Sequence, residues 1–205
     1  MQAYMKSTMP FLGVRVPEVR RLTRDLARRH PVDTRSGLER TVRELWTGAE
    51  FREERYAATA LLDTSDARAV RAPELLPFYR ELIVSGAWWD HVDELAHRVG
   101  ELRTRWPDTI TPQLLEWAVA DDIWVRRASI ICQLGAARDT DLALLTTAID
   151  ANATEREFFL RKAIGWALRD YARTDPGWVR TFVEARELSP LSRREALKHL
   201  GHGAS

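Results

Sequence analysis

WWDHVDELAHRVGEL, residues 88–102, decides the fold class. Trp88, Val92, Leu95 and Val99 recur at spacings of three and four, the period of one face of an α-helix and not the alternation of a strand. The same period runs through TRDLARR, LERTVRELW, EERYAATALLD, PQLLEWAV, WVRRASIICQL, DLALLTTAI, FFLRKAIGWALRDY and GWVRTFVEAREL, while alternating patterns are scarce. Breaks at Pro31, Gly37, Gly48, Pro73, Gly86, Pro107, Pro112, Gly135, Pro176 and Pro190 leave helices of about 8–18 residues joined by short connections. Thr111 before Pro112, and Asp175 before Pro176, read as the N-cap and first residue of two of these helices. The chain is expected to be all-α.

A repeat runs through it. EERYA (53–57), WWDHV (88–92), WVRRA (124–128), FLRKA (159–163) and SRREA (192–196) each stand near a helix start, at steps of 35, 36, 35 and 33 residues. That period suits stacked helix pairs of the HEAT kind, whose ligands bind the concave side. The competing reading is an irregular helical bundle.

Length and composition bound the function. With 205 residues, 45% hydrophobic and 30% charged, the chain is an ordinary globular protein of one domain. No apolar run approaches the roughly 20 residues a membrane span needs, and the amino terminus lacks the apolar core of a signal peptide, so a cytoplasmic protein is expected. The single cysteine, Cys132, excludes an internal disulfide and reads as core filler. Net charge is +1, and 28 arginines against three lysines reflect either anion recognition or genome composition. Residues 15–29 hold six arginines, a modest basic patch or a solvated helix. The five histidines form no HExxH pattern, and GxSxG, GxxxxGK[ST] and GxGxxG are all missing. Metal, serine-hydrolase, phosphate-loop and dinucleotide chemistries therefore have no motif behind them.

What remains is aromatic and acidic. Trp89 and Asp93, four apart, share a helix face one turn from each other. In the structural reading both tryptophans of the pair belong to the core and Asp93 to a polar surface. In the functional reading an aromatic wall beside a carboxylate suits a cation, or a transition state that becomes one. Arg126 and Arg127 flank a helix whose Trp124, Ala128, Ile131 and Cys132 read as buried; each arginine is either salt-bridged or a phosphate contact. Phe159, Lys162, Ala163 and Trp166 adjoin on another helix.

Four blocks give these residues a context: YMKSTMPFLGVRVPEVRRL (4–22), WWDHVDELA (88–96), WVRRASIICQL (124–134) and FFLRKAIGWALRDYARTDPGWVRTFVEARELSPLSRREALKHL (158–200). Through them the chain resembles the AlkD-type DNA alkylation repair glycosylases over nearly its whole length. The resemblance implies a HEAT-like helical repeat solenoid with a concave binding face, one glycosylase domain over 1–200 and a frayed tail at 201–205. It implies excision of positively charged alkylpurines, chiefly 7-methylguanine and 3-methyladenine, from duplex DNA, monofunctionally, without cofactor or metal, by a monomer that associates with the nucleoid. By the same resemblance Asp93, Trp89 and Trp166 are catalytic and Arg127 meets the DNA backbone; Lys162, adjoining Trp166 on its helix, is expected to bind DNA beside them. Such enzymes act through backbone and sugar contacts and not through a base pocket. The alternative is a non-catalytic HEAT-like DNA-binding or scaffold protein; a protein–protein adaptor is a third.

Two features sit awkwardly with that pattern. Relatives usually carry a further helical stretch before the block at YMK, and without it a weaker grip on DNA is expected, with chemistry in the bound state intact. Aligning WWDHV with FLRKA also sets Trp89 and Trp166 six repeat positions apart, about 240° around a helix. Lining one groove with both requires the alignment to slip.

Overall fold

A computed structural model of the chain describes residues 2–5 and 7–200. The tail 201–205, expected to fray, lies outside the described residues. Among these the secondary structure is helical throughout, with no strand. The chain divides between Phe78 and Tyr79 into two compact units.

The first unit holds α1 (Gln2–Met5), α2 (Val16–Arg29), α3 (Arg35–Thr47), α4 (Arg52–Leu61), α5 (Ser65–Ala69) and the first residues of α6 (Leu76–Gly86). Helices α2 and α3 both pack on α4, burying Val19, Leu38, Val42, Trp46 and Ala58. Thr34 caps α3 and Thr64 caps α5 by accepting backbone N–H groups. The loop ahead of α2 is organised by Glu53, a buried carboxylate that accepts the N–H groups of Leu12, Gly13 and Val14 at 3.0, 2.8 and 3.2 Å. Gly13 supplies the left-handed φ of 85° that points three successive N–H groups at one acceptor. On α2 the expected basic patch is a solvated face, with Arg21 and Arg28 paired to Asp25.

The second unit continues α6 and adds α7 (Trp89–Arg105), α8 (Pro107–Ala118), α9 (Ile123–Ile131), α10 (Leu142–Asp150), α11 (Phe158–Tyr171), α12 (Pro176–Glu184) and α13 (Pro190–Ala196). Helix α6 was missed by periodicity. LPFYRELIVSG buries Leu76, Phe78, Tyr79, Leu82 and Ile83 along one face and exposes Arg80, Glu81 and Ser85 on the other, where Pro77 and Val84 interrupt the polar side. Helices α7, α9, α11 and α13 pack each on the next, with α8 against α7, α9 and α10. The repeat blocks found in the sequence open these same four stacked helices. Two glycines permit the stacking: a Cβ at Gly100 of α7 collides with the Cys132 carbonyl at the end of α9, and one at Gly165 of α11 collides with Glu195 of α13.

One capping expectation is corrected. Helix α8 starts at Pro107, and Pro112 lies inside it, so Thr111 is no cap. Pro107 already has the fixed φ that suits a first position, and Pro112 sits early enough that only one first-turn carbonyl loses its N–H partner. The other expectation holds: Asp175 caps α12, accepting the Trp178 N–H at 2.8 Å with Pro176 first.

Candidate active site

The site is built where α7, α9 and α11 begin. Ala87 precedes α7 with φ 38°, a left-handed conformation that costs a non-glycine residue about 1–2 kcal/mol. Trp88 is the N-cap residue, and Trp89 and Asp93 follow on successive turns of one face. Helix α9 is pinned at its start by Asp122, whose carboxylate accepts the N–H groups of Trp124 and Val125 at 2.8 and 3.0 Å. One turn on, Arg127 points inward.

Its guanidinium grips Asp93 with both prongs. Nε donates to Oδ1 at 2.8 Å and Nη2 to Oδ2 at 2.9 Å, while Nη1 donates to the Phe159 carbonyl of α11 at 2.7 Å. Three helices meet at one side chain. The Arg127 and Asp93 side chains are 4% and 14% exposed, so the pair is shielded from water and salt. The sequence left Arg127 between ion pair and phosphate contact. It stands in the ion pair, with three of its five N–H donors engaged. Burial pushes the Asp93 carboxyl above its ordinary value; the hydrogen bonds and charge of Arg127 pull it back, His97 adds slightly to that pull, and Asp90 opposes it.

Behind the pair lies an aromatic cluster. Trp88, Trp124 and Phe159 meet with ring centroids 4.8–5.9 Å apart, tilted or edge to face. They are the first residues of three successive repeat blocks, so the register holds from α7 to α11 without a slip. Trp89 and Trp166 therefore occupy different repeat positions, Trp166 about 9 Å further along its helix axis. Both indoles are half-buried, and neither has a ring contact or hydrogen bond among the described residues.

Lys162 and Trp166 share a face of α11, joined by Arg169. Lys162 Nζ lies 2.9 Å from Glu195 of α13, and Arg169 pairs with the other oxygen of the same carboxylate. These cations hold Glu195 below the usual carboxylate range, Lys162 most, against a smaller opposing effect of burial. No hydrogen bond or ion pair joins Lys162 or Trp166 to the Asp93–Arg127 pair among the described residues.

Arg126, next to Arg127, turns the other way, to Glu155 at 2.8 Å and Asn152 at 3.3 Å. Cys132 is core filler as expected, 3% exposed, with its thiol pushed by burial to about 12. Sequence reasoning missed the Phe159 carbonyl, since a main-chain acceptor has no residue signature. It also missed Glu195, whose block SRREA was noticed only as a repeat.

Comparison with known proteins adds an identity for the scaffold. The family model for DNA alkylation repair enzymes matches residues 1–200. Among solved structures, a predicted DNA alkylation repair enzyme from Enterococcus faecalis is 32% identical, over 99% of this chain and 94% of that one, with a TM-score of 0.87. No curated protein matches.

Proposed function

The chain belongs to the DNA alkylation repair enzyme family, and from that premise we propose that it is a monofunctional glycosylase for cationic alkylpurines in duplex DNA, with residues 1–200 as its single catalytic domain. The observation that carries the reading is the buried carboxylate of Asp93 beside the partner-free indole of Trp89. A 7-methylguanine or 3-methyladenine nucleotide already carries positive charge on its base, so the base leaves as a neutral molecule without a general acid. As the C1′–N bond stretches, its electron pair goes to the base and positive charge moves onto the sugar, as in glycoside hydrolysis.

Asp93 opposes that charge. Fixed by Arg127 in a site largely closed to water, the carboxylate needs no reorganisation as the cation develops. The faces of Trp89 and Trp166 line the sugar and the cationic centre, each contact contributing about 0.5–2 kcal/mol. Water then bonds to C1′, and Asp93 orients it and takes its proton. Arg127, 4% exposed, serves the site by holding Asp93, and Lys162, 39% exposed, offers a cation to the DNA backbone. Under this reading the protein needs no cofactor and works as a monomer in the cytoplasm, on nucleoid DNA.

The test is Asp93→Asn, which keeps shape and removes charge. Single-turnover excision falls by on the order of 10² or more while DNA affinity changes little. Equal rates in the two proteins remove Asp93 from the mechanism.

A further inference from the structure

Glu195 of α13 holds two cations at once, and those two cations straddle Trp166. Lys162, Trp166 and Arg169 follow at spacings of four and three on one face of α11. Lys162 and Arg169 are seven residues apart, about 10.5 Å along the axis. Yet Lys162 Nζ lies 2.9 Å from one Glu195 oxygen, and Arg169 pairs with the other. Their side chains therefore converge across the turn that carries Trp166. Glu195 can reach this point because Gly165, between the two cations along α11, has no Cβ; one there would stand 2.5 Å from the Glu195 Cβ. We propose that Glu195 is a positioning residue for base excision: it holds the Lys162 ammonium beside Trp166, where the ammonium grips a phosphate of the damaged strand. The inference rests on the glycosylase reading and adds to it the group that fixes the strand's backbone.

Charge and packing separate this role from that of a brace between helices. One cation neutralises a carboxylate. Glu195 has two, so the cluster keeps one positive charge, the complement of one phosphodiester. Lys162 is the outward member, its side chain 39% exposed against 21% for Arg169. The contact between α11 and α13 does not depend on it. The Ser192 hydroxyl of α13 already donates to the Arg161 carbonyl of α11 at 2.9 Å, and Gly165 lies directly against the Ser192 backbone.

Position ties the cluster to the bond that breaks. Along α11, Lys162 stands between Trp166 and Phe159, whose carbonyl takes the third bond of Arg127 at 2.7 Å. A free lysine keeps its rotamer freedom until it meets a phosphate; bridged to Glu195, Lys162 has given up much of that freedom beforehand. The phosphate it holds then sets the sugar in one register against Asp93 and Trp166.

The test uses the full chain in single-turnover excision from duplex DNA bearing 7-methylguanine, with salt-dependent binding to undamaged duplex measured in parallel. Glu195→Gln keeps the shape and frees Lys162 without removing its charge. We expect its bound-state rate to fall at least fivefold while its affinity for undamaged DNA is no weaker. Its slope of log K against log salt steepens by about one unit, because the cluster gains one positive charge. A brace between helices predicts instead a lower melting midpoint with rate and slope unchanged. Lys162→Met, changed at the exposed end of the bridge, slows the bound rate to a similar degree, and adding Glu195→Gln to it slows it no further. Should Glu195→Gln not fold, Glu195→Asp decides: it keeps the charge, shortens the reach by one methylene, and is expected to excise at least twofold more slowly. A wild-type rate in Lys162→Met or in Glu195→Asp, an unchanged slope in Glu195→Gln, or effects that add in full in the double variant overturn the proposal. Wild-type protein that occupies DNA without releasing base overturns the glycosylase reading and this role with it, whereas excision unchanged by these variants overturns this role alone.

Discussion

Replacing Arg127 by methionine removes the guanidinium and keeps much of its volume. The Asp93 carboxylate, 14% exposed, then loses both of its guanidinium hydrogen bonds, and the Phe159 carbonyl loses its donor. Breaking a buried pair from one side leaves an uncompensated charge and costs about 3–5 kcal/mol. Total stability is typically about 5–15 kcal/mol. For a chain of this size each kcal/mol moves the melting midpoint by about 2–4 °C, so Arg127→Met lowers it by about 6–20 °C at neutral pH. Thermal melts followed by circular dichroism and calorimetry read this directly. The double variant Asp93→Leu/Arg127→Met supplies the control: with neither charge left, it recovers most of the loss. A cost below about 1 kcal/mol for Arg127→Met, the range of exposed pairs, refutes the reasoning. So does a double variant as unstable as the single one.

Two further outcomes follow from the same geometry. Asp93 must be ionised to oppose the sugar cation, so excision falls as pH drops through its folded pKa; burial sets that above the roughly 3.9 of a free aspartate. The acid limb of the bound-state rate, corrected for spontaneous base loss, therefore lies above pH ~3.9, and Arg127→Met moves it higher; a limb at or below that value counts against a buried catalytic carboxylate. For stability the sign is opposite: a carboxyl with a raised folded pKa contributes below about pH 3.9, and that contribution is lost as pH rises through the folded value. Trp89→Ala and Trp166→Ala each slow single-turnover excision by about 2- to 30-fold, the rate equivalent of 0.5–2 kcal/mol. Undiminished rates in both leave the indoles as packing.

Much of this arrangement was legible in the sequence because it is periodic. The three- and four-residue spacing at Val92, Leu95 and Val99 placed three fully buried residues on α7. Recurring blocks marked the helices that stack, down to the ring positions Trp88, Trp124 and Phe159 that meet across them. Local signals were read less evenly. Asp175 and Pro176 opened α12, but the same logic misplaced the start of α8, where two prolines competed and the earlier one prevailed. Helix α6 has a polar side at Arg80, Glu81 and Ser85, but Pro77 and Val84 on that side blurred it. At the site, Trp89 and Asp93 on one helix were a local inference, whereas the grip of Arg127 on Asp93 joins residues 34 apart. Its third bond ends on a main-chain carbonyl, which no side-chain pattern encodes.

Release of free base from duplex DNA carrying 7-methylguanine is the most direct test of the central claim. The full-length protein is added in excess at low salt, where phosphate contacts bind most strongly, and a mobility shift shows that the DNA is occupied. The account predicts free 7-methylguanine appearing well above the spontaneous rate with wild-type protein and on the order of 10² more slowly with Asp93→Asn. Occupied DNA that releases base at the spontaneous rate contradicts it and leaves a DNA-binding protein without excision.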